Sequence, residues 1–113
     1  MYEMTQEQEI IYEWMSQLER RIMTKWGRHI LAWVRPNQNE GWNNVVLNIH
    51  LEDNYQITLY NINGGNVCMN RLYVAGVGAI NEPSVVCSLY DENSQDIAFE
   101  VIDNIIDEQS AYF

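Results

Sequence analysis

Residues 44–62 read NVVLNIHLEDNYQITLYNI, and their side chains change character at every second position. Val45, Leu47, Ile49 and Leu51 alternate with Val46, Asn48, His50 and Glu52, which is the period of a strand with one face on a core and the other toward water. Asp53-Asn54 then supplies a tight turn into a second run, where Tyr55, Ile57 and Leu59 alternate with Gln56, Thr58 and Tyr60. Two alternating runs joined so closely predict an antiparallel hairpin, and such a sheet can be covered on one face and wet on the other. The wet face is expected to carry Asn48, His50, Gln56 and Thr58.

The flanking segments extend this hairpin into a meander. On its N-terminal side, residues 28–35 (RHILAWVR) predict a strand closed by Pro36, and residues 37–41 (NQNEG) a loop. On its C-terminal side, residues 63–66 (NGGN) are a turn signal, and Val67 to Ala75 predict a fourth strand. Gly76-Val77-Gly78 marks a bend or the strand's end, Asn81-Glu82-Pro83 the next turn, and residues 84–90 (SVVCSLY) a fifth strand.

Each end of the chain switches to helical period. Thr5 with Gln8 three residues later forms a capping box, Met4 is in a staple position, and Glu9 suits the positive end of the helix dipole. Ile10, Ile11, Trp14, Met15, Leu18, Ile22 and Trp26 then recur on one stripe, and Gly27 is a natural stop. At the other end Asn93 or Ser94 caps a helix whose apolar face is centred on Ala98, Val101, Ile102 and Ile105. The predicted fold is α+β, with an N-terminal helix, an antiparallel meander sheet of about five strands and a C-terminal helix. At 113 residues it is expected to form a single domain.

Charge narrows the function classes. Sixteen acids against six bases give a net charge of −10, which disfavours direct contact with nucleic acid or an anionic membrane and favours a basic protein partner. No run reaches the roughly 18 apolar residues of a membrane span. The start MYEMTQEQE is unlike a secretory signal, so a cytoplasmic location is expected. Cys68 and Cys87 read as small buried hydrophobes.

The charges are also segregated. Residues 1–19 hold five glutamates and no base, residues 20–35 hold five bases and no acid, and residues 91–108 hold seven acids and no base. Those seven, Asp91, Glu92, Asp96, Glu100, Asp103, Asp107 and Glu108, are the candidate protein-binding residues. Asp96, Glu100, Asp103 and Asp107 fall within roughly 60° of one another on a helix and form a ridge roughly 16 Å long. Its spacing is broadly that of phosphates along a nucleic-acid strand. Trp42, Tyr60, Tyr73, Tyr90, Tyr112 and Phe113 are the aromatics that could anchor such a contact. Arg20, Arg21, Lys25 and Arg28 are read as complementing the helix dipole and pairing with acidic elements of the same chain.

Chemistry is hard to assemble from what remains. His29, His50, Cys68 and Cys87 lie in separate segments with no zinc-type spacing. His50 and Glu52 read as an exposed pair, the serines sit in no nucleophile motif, and the glycine pairs lack the residues of a phosphate loop. No enzyme activity, cofactor or metal is expected. The charge pattern points instead to a small acidic inhibitor that binds the basic nucleic-acid-binding surface of a partner enzyme by charge mimicry. A phage-type anti-CRISPR or anti-restriction protein and a nuclease-toxin immunity protein both fit. The alternative is a chaperone or adaptor for a secreted or assembling protein, acting through apolar strips and dimerisation. The sequence leaves monomer and homodimer open.

Overall fold

The computed structural model describes residues 6–37, 44–51, 55–62, 65–75 and 78–110, with side chains at all of these except 36, 37, 44, 62, 72–75 and 78–83. The elements follow in the order α1 (Gln6–Trp26), β1 (Leu31–Asn37), β2 (Asn44–His50), β3 (Tyr55–Ile62), β4 (Asn66–Ala75), β5 (Gly78–Ser88) and α2 (Ser94–Gln109). The strands form one sheet in the order β1-β2-β3-β4-β5, every neighbouring pair antiparallel. This is the expected α+β fold with a five-stranded meander between two helices.

The alternation in β2 and β3 sets the register. Leu47 faces Leu59 and Ile49 faces Ile57, and all four side chains are fully buried. Leu51 N–H donates to the Tyr55 carbonyl at 3.0 Å and closes the hairpin; the expected Asp53-Asn54 turn and Glu52 lie outside the described residues.

Both helices pack on this same face. α1 lies over β1 and β2, α2 over β5, and the two helices touch each other. The core joins Ile11, Met15, Leu18 and Ile22 of α1 to Ala98, Ile102, Ile105 and Ile106 of α2 across the strand residues. α1 contributes a narrower stripe than its apolar residues suggested: Ile10 is 51% exposed, and Trp14 and Trp26 are half-buried. On α2 the buried face is turned toward Ile106, leaving Val101 half-buried. The capping residues Met4 and Thr5 lie outside the described residues, whereas their partner Gln8 is buried.

Several strand boundaries differ from expectation, two of them at prolines. β1 runs from Leu31 to Asn37 through Pro36, which pairs with Val45, while residues 27–29 form the turn leaving α1. β5 begins at Gly78 and contains Asn81, Glu82 and Pro83, so the 81–83 segment is strand and not turn. Both strands are sheet edges, and an edge strand has one side on which a missing N–H breaks no ladder bond. A register shift between Val67 and Cys68 makes Val86 the extra residue of a β-bulge, since Val67 pairs with Cys87 and Cys68 with Val85.

The cysteines are free and buried, as expected. Burial pushes the Cys87 thiol up to about 11, with the nearby Asp91 carboxylate adding to the effect, and burial also raises Cys68.

Candidate functional site

α2 carries the acidic ridge, and the way α1 packs beside it decides how much of that ridge is free. Its N-cap is Asn93, whose carbonyl accepts from Ile97 N–H, with no side-chain cap hydrogen bond. Ser94 points inward. Its hydroxyl donates to the Leu89 carbonyl at 3.1 Å and accepts from the Trp14 indole N–H at 3.0 Å, tying the start of α2 to α1. Gln95 adds bonds to the Trp14 carbonyl and to Gln17.

One turn further on, basic residues of α1 reach the ridge. Arg21 Nη1 lies 2.9 Å from Asp96 Oδ1, with its guanidinium also over the Phe99 ring. Lys25 Nζ lies 2.9 Å from the Asp103 carboxylate, and the Trp26 indole donates to Asp103 Oδ1 at 2.8 Å. Burial would raise the Asp103 carboxyl, but the hydrogen bonds from Lys25 and Trp26, with the Lys25 charge, outweigh it and hold the carboxyl below its ordinary value. Trp14 meets Ser94 while Lys25 meets Asp103, so the two helices run in the same direction.

The ridge of four carboxylates is therefore neutralised at two positions. Asp96 and Asp103 face α1 and are paired, because Arg21 and Lys25 sit one turn apart on the α1 face that meets α2. The intramolecular role read for the basic cluster holds at those two residues. Glu100, Asp107 and Glu108 remain exposed on α2 with no side-chain partner among the described residues. Glu92 is exposed in the turn before the helix, and Asp91 beside it accepts from Ser88 N–H through its carboxylate. The structure thus brings five of the seven candidate acids to water unpaired with a base.

The second surface is the sheet face that no helix covers. Register places Trp33, Asn48, Thr58 and Asn70 in one row across it, and Arg35, Val46, Tyr60, Cys68 and Val85 in the next. This face is drier than the alternation implied. Asn48, Val46 and Cys68 are buried, and His50, Gln56 and Thr58 are half-buried. Neighbouring side chains shield one another: Trp33 packs on His50 with ring centroids 4.8 Å apart, and the Asn48 amide oxygen accepts from Thr58 and Gln56. Asn48 Nδ2 has no hydrogen-bond partner among the described residues. At its edges the face is apolar and open, with Leu31 66%, Trp33 40% and Val85 68% exposed.

An open depression of about 400 Å³ adjoins this face at the end of α1, lined by Gly27, Arg28, His29, Ile30, Leu31, His50 and Leu51. Of the aromatics named as anchors, Tyr90 is exposed and Tyr60 half-buried; the side chains of Trp42, Tyr73, Tyr112 and Phe113 lie outside the described set. Among the described residues, no three His, Cys, Asp or Glu side chains gather as metal ligands, and no helix is long and apolar enough to cross a membrane. The chain matches no protein-family model, and comparison with curated proteins and with solved structures gives no match.

Proposed function

We propose that this chain is a protein-binding inhibitor that engages a basic, nucleic-acid-binding surface of a partner enzyme through the outer face of α2. The observation that carries the reading is the set Glu100, Asp107 and Glu108, exposed on one helix and without a side-chain partner among the described residues, with Asp91 and Glu92 exposed in the turn before it. Packing against the sheet uses the opposite face of α2, so Glu100, Asp107 and Glu108 take no part in it. Like charges at helical spacing cost up to a few tenths of a kcal/mol per pair, eased on α2 where Arg21 and Lys25 pair with Asp96 and Asp103, and a cationic cleft would repay what remains by steering and pairing. Anti-CRISPR, anti-restriction and nuclease-immunity proteins are the functional classes that share this logic.

The test is affinity capture from the native host, followed by competition with DNA or RNA. Wild-type protein should retain a basic nucleic-acid-handling partner, lose it as salt rises, and be displaced by nucleic acid. A triple reversal of Glu100, Asp107 and Glu108 to lysine should lose the partner. Retention by that variant, or binding indifferent to salt, would remove the proposal.

The open sheet face favours a second reading, an adaptor or chaperone that holds an apolar segment of a client. Capture that survives high salt, ignores the α2 reversals and is lost on Leu31→Lys would select it.

A further inference from the structure

We infer that the uncovered face of the sheet is the surface on which two copies of this chain meet. The first argument is electrostatic. The chain carries sixteen acids, yet no described side chain on this face is acidic; among the described residues its ionisable groups are Arg35, His50, Tyr60 and Cys68. An approach through the helices would bring acidic surfaces together in two bodies of net charge −10. Face-to-face sheets pack about 10 Å apart, and the α2 carboxylates then lie on the far side of each copy, separated by several Debye lengths of about 8 Å. This contact leaves that repulsion screened.

The second argument is area and its chemistry. Five strands at about 4.8 Å spacing and about 20 Å long give a projected footprint on the order of 500 Å². Corrugated by side chains, that approaches the roughly 800 Å² per partner of a standard interface. Exposed Leu31 and Trp33 at one edge and Val85 at the other frame a centre that is already dry at Val46, Asn48 and Cys68. A twofold axis along the strands sets the β1 edge of each copy against the β5 edge of the other, which buries all three exposed residues at once. Such an isologous contact closes on itself and does not propagate.

This inference is independent of the α2 proposal, and salt separates the two. Sedimentation velocity over a concentration series of the full chain should show a monomer–dimer equilibrium that tightens as salt rises, opposite to the basic partner. Leu31→Lys with Val85→Lys should weaken the dimer about 100-fold, while Glu100→Lys with Asp107→Lys should leave it at least as tight. A wild-type chain monomeric throughout, or a dimer indifferent to the Leu31 and Val85 changes, would overturn the inference. Isotope-filtered NMR on mixed labelled and unlabelled wild-type chain provides a reading that needs no variant. Intermolecular contacts from the Leu31 and Val85 methyls are expected, and contacts confined to helix methyls such as Ile97 would overturn it.

Discussion

The Trp26 indole nitrogen donates a 2.8 Å hydrogen bond to the carboxylate of Asp103, 77 residues away in sequence, and Lys25 pairs with the same carboxylate at 2.9 Å. One acid of α2 is thereby clamped by two consecutive residues at the end of α1. The side chain of Asp103 is only 20% exposed, whereas that of Asp96, the other paired acid, is 73% exposed. The clamp should therefore fasten the helix pair, while the Arg21–Asp96 pair is a surface contact worth little and screened by salt.

Replacing Asp103 with asparagine should destabilise the fold by about 1 to 2 kcal/mol, since a charged acceptor strengthens each bond it receives. The effect should depend on pH. The folded carboxyl titrates below its ordinary value, so its contribution is complete above the unfolded carboxyl value of about 3.9 and fades as pH falls through the lower folded value. Urea unfolding of wild type and Asp103→Asn should give a gap that is constant near neutrality and shrinks in acid. A gap that widens in acid would contradict the sign of the shift.

Ser94 is the second fastening between the helices, and it is 5% exposed. Ser94→Ala leaves the Trp14 indole N–H without the acceptor it has at 3.0 Å and the Leu89 carbonyl without its donor at 3.1 Å. A cost of about 1 to 3 kcal/mol is expected for stranding such groups. Because the indole is the reporter, Trp14 NMR shifts should move in the folded variant. A stability loss without an indole shift would place the cause elsewhere.

The meander was legible because local period fixes a strand's face, although the Asn81-Glu82-Pro83 turn signal falls inside β5. Boundaries at Pro36 and Pro83 were not legible, because whether proline ends a strand depends on which edge it occupies, and edge identity is a property of the finished sheet. The acids of the candidate site were legible as a helix face, since their spacing is a matter of helix geometry alone. Their pairing was not. Arg21 and Lys25 one turn apart, and Asp96 and Asp103 two turns apart, make a complementary pattern, but only the direction in which α2 crosses α1 brings them into register. The dryness of the open face was hidden for a similar reason: Asn48 is shielded by partners on neighbouring strands.

Gly65 sits at φ +80°, and a Cβ placed there would come within 2.5 Å of the Tyr90 ring. The Gly65 carbonyl also accepts from Leu89 N–H at 2.8 Å, joining the start of β4 to the exit of β5. Gly65→Ala combines a left-handed backbone with a ring that must move, and should cost about 1 to 3 kcal/mol. In Gly65→Ala with Tyr90→Ala the ring is gone, so the double variant should lose less than the two single variants added. Simple additivity in thermal or urea unfolding would show that the Tyr90 ring plays no part.

Glu100→Lys separates what α2 does for folding from what it does for binding. A lysine at position 100 stands one turn from Asp96, three residues before Asp103 and seven before Asp107, so like-charge neighbours become opposite ones, with part of each gain already taken by the Arg21 and Lys25 pairs to Asp96 and Asp103. Each favourable pair at helical spacing is worth about 0.2 to 0.5 kcal/mol, and the exposed side chain disturbs no packing. Thermal unfolding should therefore shift upward in Glu100→Lys and further in Glu100→Lys with Asp107→Lys, most clearly at low salt. If the ridge is kept for a basic partner, that gain must come with weaker capture of the partner. Higher stability with unchanged capture would mean that the acids of α2 serve neither purpose.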